Sequence, residues 1–157
     1  METPAAAAKS TRSGSLETDG TGMNAVVDTN VVAYYLLNTE PHVEECGQFW
    51  RRIAEVSAPA SWQAELLSVL WMAVRQKVIT LDESANRLRI ASRLGIRSVP
   101  ARQLWRGSLI RARHSGLSPY DILFVELAVR RKVQLATFDA GLLRTFPEIA
   151  KRPVAIF

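Results

Sequence analysis

The sequence predicts an α/β fold, a three-layer α/β/α sandwich around a mainly parallel central sheet. Three observations predict it. Short apolar runs such as Ala25-Val26-Val27 and Val133 to Thr137 have the length of strands buried on both faces. Longer stretches between them repeat apolar residues at helical spacing. The 157 residues, 48% of them hydrophobic, match one domain with its own core.

Residues 1–22 are rich in Ala, Ser, Thr and Gly and lack apolar periodicity, so they read as a disordered tail or an expression leader. One domain then covers residues 23–157. Its first strand is Asn24 to Asp28. Helical patterns follow at about 30–38 and 41–53, the second opened by Pro41. Glu55 to Ala58 has strand length. Pro59-Ala60-Ser61 starts a long helix that runs to about Gln76. A further helix spans about Asp82 to Leu94 and stops at Gly95, a residue suited to a C-terminal cap. Ile96 to Val99 reads as a strand. Pro100 opens a helix to about His114. Ser118 and Pro119 cap another that runs to about Arg131. Val133 to Thr137 is a strand, and Pro153 to Phe157 a last one. Alternating strands and helices require crossover connections and hence a parallel sheet.

Composition narrows the function. The only histidines are His42 and His114 and the only cysteine is Cys46, so neither zinc spacing nor an intrachain disulfide exists. No apolar run is long enough to span a membrane, and a cytoplasmic protein is expected. The net charge of +5 permits a polyanionic partner.

Four acids stand out. Asp28 and Asp139 each follow a strand, at the edge where open α/β sheets bind ligands; each is equally placed to cap the next helix. Glu65 shares a helical stripe with Trp62, Val69 and Met72. A carboxylate facing an apolar interior is costly unless it is paired or ligates a cation; the alternative is that the stripe is a solvated rim. Asp121 lies in the first turn of the helix opened by Ser118, where a capping box would also explain it. Gathered at one point, like charges raise one another's pKa values, and a hard divalent cation removes that penalty. An acid-only cluster suits in-line hydrolysis of a phosphodiester.

At these residues the chain resembles PIN-domain ribonucleases of the VapC toxin type. The resemblance rests on Val26-Val27-Asp28-Thr29-Asn30-Val31, on Ala64-Glu65-Leu66, on Leu117 to Leu123, and on Leu135 to Leu142 with Thr137 two residues before Asp139. It runs from Met23 to Phe157. It implies a PIN-like fold, Mg²⁺- or Mn²⁺-dependent endonucleolytic cleavage of RNA, a homodimer, and inhibition by a cognate VapB-like antitoxin. By position it implies Asp28, Glu65 and Asp121 as the main metal-binding acids and Asp139 as a fourth acting through water. Thr137 and Asn30 would support the acids, and their ordinary alternatives are a β-branched strand residue and a helix cap.

Charge is uneven. Between Ser84 and Tyr120 there are eight arginines and no Asp or Glu. Arg102, Arg106 and Arg113 are spaced for one helical face and are expected to meet RNA phosphates. Trp105 beside them reads more readily as core than as a base-stacking ring. The remaining arginines fit a solvated surface or an acidic antitoxin tail.

Two other readings compete with a toxin nuclease. One is a PIN-like nuclease of RNA processing or DNA repair, disfavoured by the lack of added domains. The other is a catalytically inactive PIN interaction module, disfavoured by intact acids at all four positions. A phosphatase with an Asp nucleophile would want a second acid where Asn30 stands.

Overall fold

The computed structural model describes residues 22–157; the tail expected over 1–22 lies, but for Gly22, outside the described residues. Five strands, β1 (Met23–Val27), β2 (Ile53–Pro59), β3 (Arg97–Val99), β4 (Gln134–Ala136) and β5 (Ala150–Lys151), form one sheet in the order β3-β2-β1-β4-β5. Every neighbouring pair is parallel. The helices are α1 (Thr29–Leu36), α2 (Val43–Arg52), α3 (Trp62–Arg75), α4 (Leu81–Ala91), α5 (Trp105–Ser115), α6 (Pro119–Arg131) and α7 (Ala140–Thr145). With right-handed crossovers, this strand order puts α1 to α4 on one face of the sheet and α5 to α7 on the other. The packing agrees: α1, α2, α3 and α4 touch one another, while α6 lies on β1, β2 and β4 and carries α5.

The core forms where the strands are apolar on both faces. Val26, Val27 and Leu135 are fully enclosed between Phe49, Leu66 and Leu70 on one side and Ile122 and Phe124 on the other. Helix α6 is buried from Ile122 to Ala128 because the sheet lies beneath it and α5 above it. Its one charged member in that span, Glu126, is matched. Its carboxylate accepts from Arg111 Nε at 2.8 Å and from Arg130 Nε at 2.7 Å. The carboxyl is held below its usual range, since those two arginines outweigh the effect of burial. Gly107 of α5 makes room for it, because a Cβ there would overlap the carboxylate.

Several sequence expectations change. The helix expected from Pro100 is broken into a 3₁₀ turn, Ala101–Gln103, and α5. Leu104 is the break: at φ −107° and ψ −10° it turns its side chain into the core. The last strand is Ala150–Lys151 rather than Pro153 to Phe157, which forms a 3₁₀ turn over Pro153–Ile156. Proline has no N–H to give a ladder, and Pro153 is buried at the start of that turn. Helix α4 stops at Ala91, and three further residues, Ser92 to Leu94, reach Gly95, which holds the left-handed φ of +70°. Trp105, expected in the core, is 66% exposed. Helix α5 turns Ser108 and Ala112 inward, in line with Leu104, and Trp105 sits one position round from that stripe.

Candidate active site

The strand order reverses between β1 and β4. The crevice beyond the carboxyl ends of those strands is the place where open α/β sheets bind ligands. Asp28 leaves β1 there, and Thr137, Phe138 and Asp139 leave β4. The two strand ends are tied by the backbone, where Asp28 N donates to Ala136 O at 2.9 Å.

Asp28 stands at the N-cap of α1 but makes no capping hydrogen bond. Its Oδ2 instead accepts from Thr137 Oγ1 at 2.6 Å and from Asn30 Nδ2 at 3.1 Å. Thr137 is fully buried, and its hydroxyl oxygen also accepts from Asp139 N at 3.0 Å. Asn30 Oδ1 accepts from Phe138 N at 3.3 Å. Thr137 and Asn30 therefore brace Asp28 and the Phe138-Asp139 turn together. Asp139 does cap its helix, with Oδ1 accepting from Leu142 N at 2.7 Å. One oxygen is thus committed to structure.

Glu65 reaches the same place from α3. Its Oε2 accepts from Thr29 Oγ1 at 2.7 Å, while its Oε1 is buried and has no hydrogen-bond partner. The stripe chosen from sequence was one position off. The buried side of α3 is Trp62, Leu66, Leu70 and Ala73, and both Val69 and Met72 are exposed. Glu65 lies at the rim of that side, so the unpaired oxygen rather than an apolar stripe sets it apart. Thr29 was not singled out in the sequence; its signal is its place at the first helical position beside Asp28. Asp121, in the first turn of α6, is open to solvent and does not cap. Ser118 does, accepting from Tyr120 N.

The acids feel one another. Burial pushes the Asp28 carboxyl up to about 6; the charges on Glu65 and Asp121 add to this, against the hydrogen bond from Thr137. Glu65 is raised by burial and by Asp121, against hydrogen bonds from Thr29 and Ser61, and Asp121, though largely exposed, by partial loss of water around its carboxyl and by Asp139. Yet among the described residues no three of His, Cys, Asp or Glu stand close enough to form a ready-made metal cage. The donor set still fits a hard divalent cation. It consists of oxygens alone, one of them is buried and unpaired, and Mg²⁺ is content with one or two carboxylates and several waters. A cleft of about 270 Å³ at the opposite end of the sheet, lined by Asn24, Glu55, Arg97 and Arg131, touches none of these acids.

Arg102, Arg106 and Arg113 are exposed, the first on the 3₁₀ turn and the others on α5. The acids thus come from both faces of the sheet, Glu65 from α3 and Asp121 from α6, whereas the basic residues lie on the α5 face alone.

A five-stranded parallel sheet whose strand ends carry braced carboxylates at the switch point defines an acid-lined α/β domain suited to divalent-cation chemistry. The chain belongs to the PIN-domain family, whose model matches residues 25–147. PIN domains are nucleases and generally work with divalent metals. A chain in the crystal structure of VapBC2 from Rickettsia felis, bound to a DNA fragment from their promoter, is similar to this one with a TM-score of 0.58. The two are 14% identical, and the match covers 83% of this chain and 98% of that one. No curated protein sequence matches the chain.

Proposed function

We propose that this chain is a Mg²⁺- or Mn²⁺-dependent endoribonuclease and the toxin of a toxin–antitoxin pair. The observation that carries the metal reading is the crowding of the acids: Glu65, whose buried Oε1 has no closer partner than the nearby Ser61 hydroxyl, lies beside an Asp28 carboxyl raised to about 6 by burial and by the charges of Glu65 and Asp121. A buried acceptor left unmade is costly, and a cation repays that cost.

Asp28, Glu65 and Asp121 would hold the cation, with Asp139 contributing through water. Bound there, the cation supplies positive charge to a phosphate oxygen and acidifies a water for attack. The chain's own residues do the positioning. Thr137 and Asn30 fix the Asp28 carboxylate, and Thr29 fixes one oxygen of Glu65 so that the other faces inward. Asp121, open to solvent, stands where substrate arrives. Arg102, Arg106 and Arg113 hold phosphates along the approach.

The toxin reading draws on the family and on the likeness to a protein of a VapBC complex. It carries with it a VapB-like antitoxin as inhibitor, a homodimer, and action in the cytoplasm. Among the described residues no helix is long and apolar enough to cross a membrane. Asp28→Asn and Asp121→Asn should each abolish EDTA-sensitive cleavage of RNA while the circular dichroism and melting profile stay those of a folded chain. Full activity of either variant with Mn²⁺ present would overturn the assignment.

A further inference from the structure

Trp105, Leu109 and Tyr120 are 66%, 68% and 71% exposed, which is uncommon for side chains so large when they lie together. With Ser108, Pro119 and Leu123 they line a cleft of about 290 Å³ between α5 and the first turn of α6. Two flat rings wall it. It lies at the small end of ligand pockets, room for about one ring system. Its exposed lining is almost wholly apolar. Ser108 is 3% exposed, and its Oγ has no hydrogen-bond partner. That oxygen is itself buried, so what the cleft offers a ligand is apolar surface and ring faces.

Charge decides what that ligand is. On α5, Trp105, Arg106, Leu109 and Arg113 fall at the spacing of one helical face; these two arginines and Arg102, on the preceding 3₁₀ turn, are exposed. No acid occurs from residue 85 to residue 120. A second copy docked here about a two-fold axis would set these arginines against themselves, which is repulsive. The exposed apolar surface of α3 and α4 has no such fault: Leu67, Trp71 and Leu81 stand there among Arg75, Asp82 and Glu83. The face at α5 needs a polyanion that also carries planar rings. Single-stranded RNA is that ligand, because a duplex hides its bases in the stack. Tyr120 immediately precedes Asp121, so the cleft adjoins the acids.

We infer that the cleft between Trp105 and Tyr120 takes one unstacked nucleobase of single-stranded RNA against its ring faces, with the arginines holding the flanking phosphates. The inference rests on RNA being the substrate. It makes the enzyme select unpaired RNA through a subsite separate from the acids.

The test is a fluorescence titration of the full chain in EDTA, so that binding is read without cleavage. The probes are a mixed-sequence single-stranded twelve-nucleotide RNA, the same RNA annealed to its complement, and a poly-glutamate peptide. The single strand should bind tightest. Trp105→Ala should weaken it about tenfold or more, Trp105→Phe only slightly, and Trp71→Ala on the far face not at all. With Mn²⁺, Trp105→Ala should raise KM by a similar factor and leave kcat within about twofold, with sedimentation unchanged.

Equal binding by Trp105→Ala, or equal binding of the duplex, overturns the subsite. So does a Trp105-dependent change in oligomeric state, which would mean self-docking, or Trp105-dependent binding of poly-glutamate in preference to RNA, which would mean an acidic protein partner. Binding that depends on Trp105 without any RNA hydrolysis sinks the nuclease reading and leaves the subsite standing. Hydrolysis with an unchanged KM in Trp105→Ala does the reverse.

Discussion

Asp28 concentrates the chemistry of this fold in one side chain. Without a cation its carboxyl takes a proton at about pH 6, whereas the unfolded chain would release that proton near 3.8. Between those values the folded state holds more protons than the unfolded one. Stability relative to an Asp28→Asn variant should therefore fall as pH rises from about 4 to about 6, by on the order of 3 kcal/mol. Urea unfolding of both proteins in EDTA across that window measures the difference; a difference that grows with pH would refute it. Adding Mg²⁺ or Mn²⁺ should recover stability at the upper end, because the cation competes with the proton for the same oxygens. At this scale the sequence was informative about identity and less so about geometry. Thr137 braces Asp28 where β1 and β4 end, and Glu65 sits at the rim of α3 rather than on the apolar stripe its spacing suggested. Thr29 escaped notice, since a threonine at a helix start has ordinary explanations and only its hydrogen bond to Glu65, 36 residues on, gives it a role.

Among the elements, α5 and α6 form the pair on which the basic face rests. Gly107 is the hinge of their fit. Replacing glycine by alanine in a helix ordinarily gains about 1 kcal/mol. At Gly107 the new Cβ would meet the Glu126 carboxylate, which cannot move without breaking its bonds to Arg111 and Arg130. Overpacking of that kind costs about 1–3 kcal/mol, so the net effect of Gly107→Ala should be a lower melting temperature. Gly47 in α2 is the control. A Cβ there meets only the far end of Arg51 at 3.3 Å, and Gly47→Ala should raise the melting temperature slightly. The reverse order of the two variants would show that the packing account is wrong. Where the sequence misplaced elements, a nonlocal choice was responsible. Leu104 breaks a helix that Pro100 seemed to open because the core accepts its side chain. The edge strand β5 is two residues long, too short to announce itself through periodicity.

Over the whole molecule, charge would set how the proposed RNA substrate is approached. A net charge of +5 gives a general attraction, but the arginines of α5 and its preceding turn concentrate it on one side. Each phosphate neutralised releases counterions, so RNA affinity should fall linearly with the logarithm of salt concentration. Replacing Arg102, Arg106 and Arg113 together with alanine should reduce that slope by about 2–3. A binding titration at several salt concentrations reads this directly, and an unchanged slope would remove these arginines from the interface. The class of fold and most of the alternation of strands and helices were determined by the sequence itself, because short apolar runs and helix caps are local signals; α7 and the place of the last strand were not. Which side of α5 faces the core, which oxygen of Glu65 is left unpaired, and how Thr137 and Asn30 brace Asp28 were decided only by the tertiary structure. Those depend on contacts between residues far apart in the chain, and no periodicity within one element reports what the opposite element offers.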